Sequence, residues 1–235
     1  MNLYRFFFCI LAAAAPVTAA DPLTGFPFQN ETLRYNIKFA SGANLGEATV
    51  SAQKTEAAGW RFDMSFNAGL PGVPFADTYR SQATVELCST ELERAMTHGS
   101  KKVTEKTTFD QQHNTAERRT MNPAGGGTSQ LTLPPCARDA LAFQFFARRE
   151  MGQGRVAQPS KVFFGGAYDV RMDYTGAMDV KVGAKTQVTD HVNITVKGPA
   201  SDVTVEVYYA RDPARTPVLI TIPVSLGKIS LELVR

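Results

Sequence analysis

Residues 136–150, CARDALAFQFFARRE, constrain this chain most, because they form the one convincing helix in a sequence of strands and turns. Two prolines precede this stretch, and proline suits the first turn of a helix, where its missing N–H is not needed. Apolar side chains point in several directions around its helical period: Leu141, Phe143, Phe145 and Phe146. A helix that is apolar nearly all round is buried. We therefore predict a mainly β fold in which a strongly curved antiparallel sheet, or a partly closed barrel, wraps around one buried helix.

The rest of the chain alternates apolar and polar residues in short segments that glycine and proline turns separate, as in residues 33–39 and 60–68. This pattern is typical of strands, and it predicts about thirteen of them. Short connections favour antiparallel pairing, and so many strands favour a strongly curved sheet. An all-β domain can reach this length as one unit, so we assign residues 21–235 to a single β-rich domain.

The first twenty residues are typical of a secretory signal peptide. Arg5 provides a short positive region, residues 6–15 are apolar, and small residues at 17–20 fit a cleavage site. The apolar run is too short for a transmembrane helix, which needs about 20 residues. We therefore expect residues 1–20 to be removed and residues 21–235 to be exported to a bacterial periplasm, with no membrane-spanning segment left.

Cysteine usage predicts a crosslink. Cleavage would remove Cys9 and leave Cys88 and Cys136. Exported proteins usually pair such cysteines, so we predict a disulfide between them; the alternative is two buried free thiols. A redox-active pair is disfavoured because the two cysteines lack the C-x-x-C context.

Charge and residue spacing disfavour several functions. The 25 Lys and Arg residues and 22 Asp and Glu residues are scattered, whereas nucleic-acid binding needs a concentrated positive face. His98, His113 and His191 lack the neighbours of a zinc site, and no G-x-S-x-G motif occurs. We therefore expect no nucleic-acid partner, no metal or other cofactor and no catalytic residue.

Several polar residues invite a structural interpretation. Asp139, near the helix start, is expected to satisfy exposed N–H groups and to favour the helix dipole. Glu47, in an early strand, could pair with a buried arginine, either Arg138 or Arg148. Residues 211–215, RDPAR, are interpreted as turn chemistry.

Residues 69–75, GLPGVPF, carry two prolines and two glycines and are predicted to form a loop. Their apolar side chains, Leu70, Val73 and Phe75, could form a lip that meets a lipid, a lipoprotein or another envelope protein. The alternative is a lid that folds over the end of the sheet and closes the core beside the helix.

Four motifs occur in a characteristic order: GE at 46–47, PCARDAL at 135–141 before the aromatic helix, ARDPARTPV at 210–218, and ISLEL near the end of the chain. Together they resemble the bacterial exported family known as domain of unknown function 3108. The resemblance covers roughly residues 33–234. It implies a Gram-negative envelope protein with no assigned activity and no catalytic residues to carry over.

These observations lead to two main hypotheses. The first is a non-catalytic periplasmic protein that binds a lipid or other apolar ligand in a groove between the sheet, the helix (Leu141 and Phe145) and the 69–75 segment. The second is a structural or assembly factor that binds envelope proteins through sheet edges or through an exposed meander at residues 91–121. An envelope hydrolase that uses scattered acidic residues is the least favoured hypothesis. The sequence leaves the oligomeric state open.

Overall fold

The computed structural model describes residues 30–56, 59–70, 73–199, 201–225 and 227–234, and the predicted signal peptide lies outside these ranges. The described chain forms fifteen strands and one helix. The strands before the helix are β1 (Glu31–Phe39), β2 (Asn44–Lys54), β3 (Trp60–Leu70), β4 (Val73–Ala83), β5 (Ser89–His98), β6 (Lys101–Asp110), β7 (Thr115–Asn122), β8 (Thr128–Thr132) and β9 (Arg138–Asp139). The helix α1 (Ala140–Gly152) is followed by β10 (Ser160–Phe163), β11 (Ala167–Val182), β12 (Lys185–Gly198), β13 (Ser201–Ala210), β14 (Pro217–Val224) and β15 (Gly227–Leu233).

All fifteen strands belong to one sheet, in the order β8-β7-β6-β5-β4-β3-β2-β1-β15-β14-β13-β12-β11-β10-β9. Every pairing is antiparallel except that of β9 with β10, which flank the helix. Because β1 pairs with β15, the sheet consists of a first wing, β1–β8, and a second wing, β9–β15, that meet in its middle. The sheet is curved and remains open between β8 and β9. The predicted fold class is therefore confirmed.

The helix is buried between the two wings, as predicted. Phe145 is 0% exposed and stacks on Phe62 of β3, with ring centroids 4.3 Å apart. Phe143 is buried among side chains of β10–β13, and Phe146 is half-buried beside both groups. The helix begins at Ala140, later than predicted, because a turn and the short strand β9 follow the two prolines.

The two wings are held together at the start of the helix. The predicted disulfide joins Cys88 and Cys136, whose Cα atoms are 4.7 Å apart. Beside it, the Ser89 N–H donates to the Ala137 carbonyl oxygen at 2.9 Å. The Gln111 side-chain amide donates to the carbonyl oxygens of both Ser89 and Ala137 and accepts from the Ala137 N–H. These contacts fasten β9, and with it the helix N-terminus, to β5.

Two predictions of local structure were wrong. Residues 69–70 and 73–75, predicted to lie in a loop, belong to strands, because β3 continues to Leu70 and β4 begins at Val73, and these two residues pair. The 91–121 meander is not wholly exposed, because one face of β5–β7 is buried against Phe163. The long strand β11 contains a bulge at Gly176, which accommodates an irregular residue without ending the pairing with β12.

Candidate functional site

An apolar cavity of ≈ 360 Å³ lies between α1 and the second wing. Four helix residues line it: Ala140, Phe143, Gln144 and Ala147. The sheet side consists of Val162, Phe164, Tyr168, Val170, Ile194, Val196, Val205, Val207, Tyr209, Pro217 and Ile220. This volume falls in the range of small-molecule sites, about 300–1,000 Å³, and the lining is almost entirely aliphatic and aromatic.

The periodicities of the helix and the strands produce this lining. The four helix residues occur at i, i+3, i+4 and i+7, so they share one helix face. In β11 the inward Tyr168 and Val170 alternate with the exposed Asp169 and Arg171, as expected of a strand with one buried side. The cavity remains open beside this helix face because its first and last residues, Ala140 and Ala147, have small side chains.

Of the five predicted binding residues, the structure describes the side chains of Leu141, Phe145 and Phe75, and none of these three lines the cavity. Leu141 and Phe145 lie on a different face of α1, where they are 3% and 0% exposed in the core with β1–β4, and neither lines the cavity. Phe75 is half-buried, with its ring centroid 5.0 Å from that of His98. The side chains of Leu70 and Val73 lie outside the described residues. The alanine and phenylalanine spacing from 140 to 147 was the sequence signal that could have located the cavity.

Asp139 organises the polar end of the helix. It is fully buried, and its Oδ1 accepts hydrogen bonds from the N–H groups of Leu141 and Ala142 at 2.8 and 3.1 Å. Its Oδ2 accepts from the hydroxyls of Ser81 and Ser89, both at 2.6 Å. The predicted capping role is therefore confirmed, and the serines join the helix to both β4 and β5. Burial raises the pKa of Asp139, although these hydrogen bonds act in the opposite direction.

We expect Asp139→Asn to lower the free energy of unfolding by about 1–3 kcal/mol, because an amide NH₂ would face the two serine hydroxyls. Since burial raises the pKa of Asp139 in the folded chain, the native protein holds this proton more tightly than the unfolded chain. The stability that this group contributes is therefore greatest below the unfolded Asp pKa, about 3.9, and declines as pH rises through the raised value. Urea unfolding across this pH range should show the deficit of the variant shrinking as pH rises.

Asp110→Asn is the control for this pH dependence. The exposed Asp110 accepts a hydrogen bond from the His113 ring, which lowers its pKa. Its contribution is present above the unfolded pKa and is lost as pH falls, so the Asp110→Asn deficit should grow as pH rises. The same trend for both variants would contradict the buried, raised-pKa description of Asp139.

A buried ion pair joins the helix to the first strand. Arg148 is 0% exposed, and its Nη1 and Nη2 each lie 2.8 Å from a carboxylate oxygen of Glu31. Its Nε donates to the Ala214 carbonyl oxygen at 3.0 Å. The prediction that Glu47 serves as the acidic partner was wrong: Ala48 faces the core in β2, so strand alternation turns Glu47 to the exposed side.

The buried phenols near Arg148 are neutral. Burial raises the pKa of Tyr209 to about 12, with Arg148 opposing this shift. Burial also raises the pKa of Tyr35, whose hydroxyl donates to the Pro217 carbonyl oxygen at 2.9 Å. Tyr209 and Pro217 both line the cavity, whereas the charged Arg148 and Glu31 do not. The cavity wall near this ion pair is therefore uncharged.

The 211–215 segment does more than form a turn. Asp212 accepts from the Thr216 N–H at 2.9 Å, as the turn interpretation required. However, Arg211 and Arg215 both reach back to the buried Asp190, at 2.9 Å and 2.5 Å. These two ion pairs therefore hold the turn between β13 and β14 against β12.

Within the described ranges, no group of three or more His, Cys, Asp or Glu side chains is arranged to hold a metal ion. The helix in that part of the chain lacks the length and hydropathy to cross a membrane.

The fold and the cavity define a barrel-like β protein: an open, curved antiparallel sheet around a helix, with an apolar cavity beside it. The chain belongs to the family described as "Protein of unknown function (DUF3108)", which matches residues 34–234, in agreement with the predicted resemblance. Among solved structures it is similar to a beta-barrel-like protein of domain of unknown function DUF1849 from Brucella abortus, with a TM-score of 0.65 and 8% identity. The match covers 88% of this chain and 97% of that one, and it shows a shared fold alone. The comparison with curated proteins gave no match.

Proposed function

We propose that this is a non-catalytic protein of the bacterial periplasm that binds a lipid or another apolar ligand in the cavity between α1 and the second wing. The observation that carries the proposal is the cavity itself, ≈ 360 Å³ in volume and lined by aliphatic and aromatic side chains. An apolar ligand gains free energy by leaving water for such a site. The apparent signal peptide and the Cys88–Cys136 disulfide support export to an oxidising compartment.

The polar groups around the helix support binding over catalysis. Asp139 accepts four hydrogen bonds from protein donors, Arg148 is paired with Glu31, and Asp190 is paired with two arginines. None of these charged groups is among the residues that line the cavity. Their geometry therefore serves to hold the helix and the adjoining turn in place.

The neutral fluorophore N-phenyl-1-naphthylamine provides the test. We expect its emission to rise on binding to the purified protein and expect Val196→Trp, which fills the cavity, to weaken binding by at least roughly tenfold. Val188→Trp is the matched control, because Val188 lies on the same strand but is 49% exposed and away from the cavity. Native mass spectrometry of protein purified from periplasm should show a bound lipid that Val196→Trp lacks and Val188→Trp retains.

Two results would count against the proposal. One is the absence of both a co-purified ligand and fluorophore binding. The other is equal binding by the two tryptophan variants, which would place the apolar site elsewhere. Either result would favour the hypothesis of an assembly factor that acts through its strands.

A further inference from the structure

The two wings touch at the rim of the cavity. Phe164, which lines the cavity, starts the connection between β10 and β11. The Arg94 guanidinium lies 4.4 Å from the centroid of the Phe164 ring, and the Tyr79 ring centroid is 5.0 Å away. Side chains of β4 and β5 thus close over one edge of a cavity that the second wing and the helix build.

A second arginine, Arg118, contacts the connection between β10 and β11 at the residue after Phe164. Arg118 of β7 donates a hydrogen bond to the Gly165 carbonyl oxygen. Arg94 occupies the space that a Cβ atom on Gly165 would need, and the φ angle of Gly165 is +73°. Glycine suits this position because it permits both the positive φ and the close approach. The rim therefore brings two guanidinium groups from different strands next to a residue of the apolar lining.

The rim has a guanidinium hydrogen-bond donor that the described residues leave without a partner. Arg94 pairs with Glu105 at 3.2 Å, and the two side chains are only 12% and 14% exposed. Arg94 also donates to the Met96 sulfur at 3.2 Å, but its buried Nε has no hydrogen-bond partner among the described residues. No carboxylate in the described part of the chain pairs with Arg118. The Asp77 carboxylate beside Tyr79 accepts from the Tyr79 hydroxyl at 2.8 Å and lies 3.0 Å from His98 Nε2, so its partners are already in place. The unpartnered Arg94 N–H and the Arg118 guanidinium therefore favour an anion at this partly buried place.

We propose that the cavity takes a single-chain amphiphile with an anionic head, its hydrocarbon chain against α1 and the second wing and its head at Arg94 and Arg118. A carboxylate and a phosphate monoester share the chemistry that guanidinium groups recognise, which is charge and two or more acceptor oxygens. This inference rests on the proposed function, because it specifies the ligand class of the same cavity.

Displacement of N-phenyl-1-naphthylamine by three ligands of equal chain length tests the inference: dodecanoic acid, dodecyl phosphate and dodecanol. We expect at least one of the two anions to displace the fluorophore at a concentration roughly tenfold lower than dodecanol does. The stronger anion identifies the source of the head group. Arg118→Gln should remove most of this preference by raising the concentration at which the anions displace the fluorophore, while Arg118→Lys, which keeps the charge, should retain part of it.

Arg119→Gln is the matched control, because Arg119 adjoins Arg118 in β7 but has an exposed side chain, and it should keep the wild-type preference. Equal displacement by the anions and dodecanol would overturn the anionic-head inference while leaving the apolar-ligand proposal intact. A preference that survives Arg118→Gln in folded protein would overturn the assigned head position. Failure of the fluorophore to bind wild-type protein would instead overturn the proposed function, and the inference with it.

Discussion

Replacing Arg148 with alanine is expected to lower the free energy of unfolding by about 3–5 kcal/mol, because it leaves the Glu31 carboxylate largely buried without this partner. Arg148 is 0% exposed and Glu31 is 16% exposed, so little water can replace the lost guanidinium. The variant also loses the hydrogen bond to the Ala214 carbonyl oxygen, which links the helix to the turn before β14. Equilibrium unfolding in urea measures the change.

Arg149→Ala is the control, because Arg149 is the next residue of the helix but is only half-buried, and its loss should cost about 1 kcal/mol or less. A double variant, Arg148→Met with Glu31→Leu, should recover much of the lost stability, since it removes both charges together. If Arg148→Ala costs no more than Arg149→Ala, the pair does not hold the helix to β1 and our account of this contact is wrong.

Replacing Cys136 with serine is the second substitution with a large expected effect. The crosslink spans a sequence separation of 48 residues, and loop closure of this length contributes about 4 kcal/mol in the chain-entropy model. The loss should appear under oxidising conditions, whereas in a strong reductant the variant and the wild type should unfold at nearly the same denaturant concentration. Cys88→Ser and the double serine variant should match Cys136→Ser, because each lacks the same bond.

If reductant left the free energy of unfolding of the wild type unchanged, this prediction would be wrong. The disulfide also precedes β9 directly, so its loss should loosen the segment that carries the Asp139 cap. Hydrogen exchange of the Leu141 and Ala142 amides, which the cap binds, should therefore be faster in Cys136→Ser than in wild type. The exchange rates of amides in β12, a strand that does not pair with β9, provide the internal reference.

The burial of the helix and the cap at Asp139 could be predicted from the sequence, because each depends on the residue types within or next to the helix. An apolar helix among alternating strands must lie inside a curved sheet, and Asp139 at the helix start has helix N–H groups within reach whatever surrounds it. By contrast, residues 69–70 and 73–75 were mispredicted because proline and glycine suggested a loop, whereas the pairing of β3 with β4 continues to Leu70 and Val73.

By itself, the sequence determined the buried helix, the antiparallel curvature, the cap at Asp139 and the pairing of Cys88 with Cys136, since each depends on neighbours in the chain or on residue type. Only the tertiary structure decided that Arg148 pairs with Glu31, 117 residues away, and that Arg94 and Arg118 meet at Gly165. It also decided that the open space lies beside Ala140 and Ala147 and not beside Phe145. The physical reason is that these contacts depend on which strands become neighbours when β1 and β15 join the wings and on how closely the curved sheet packs against each helix face.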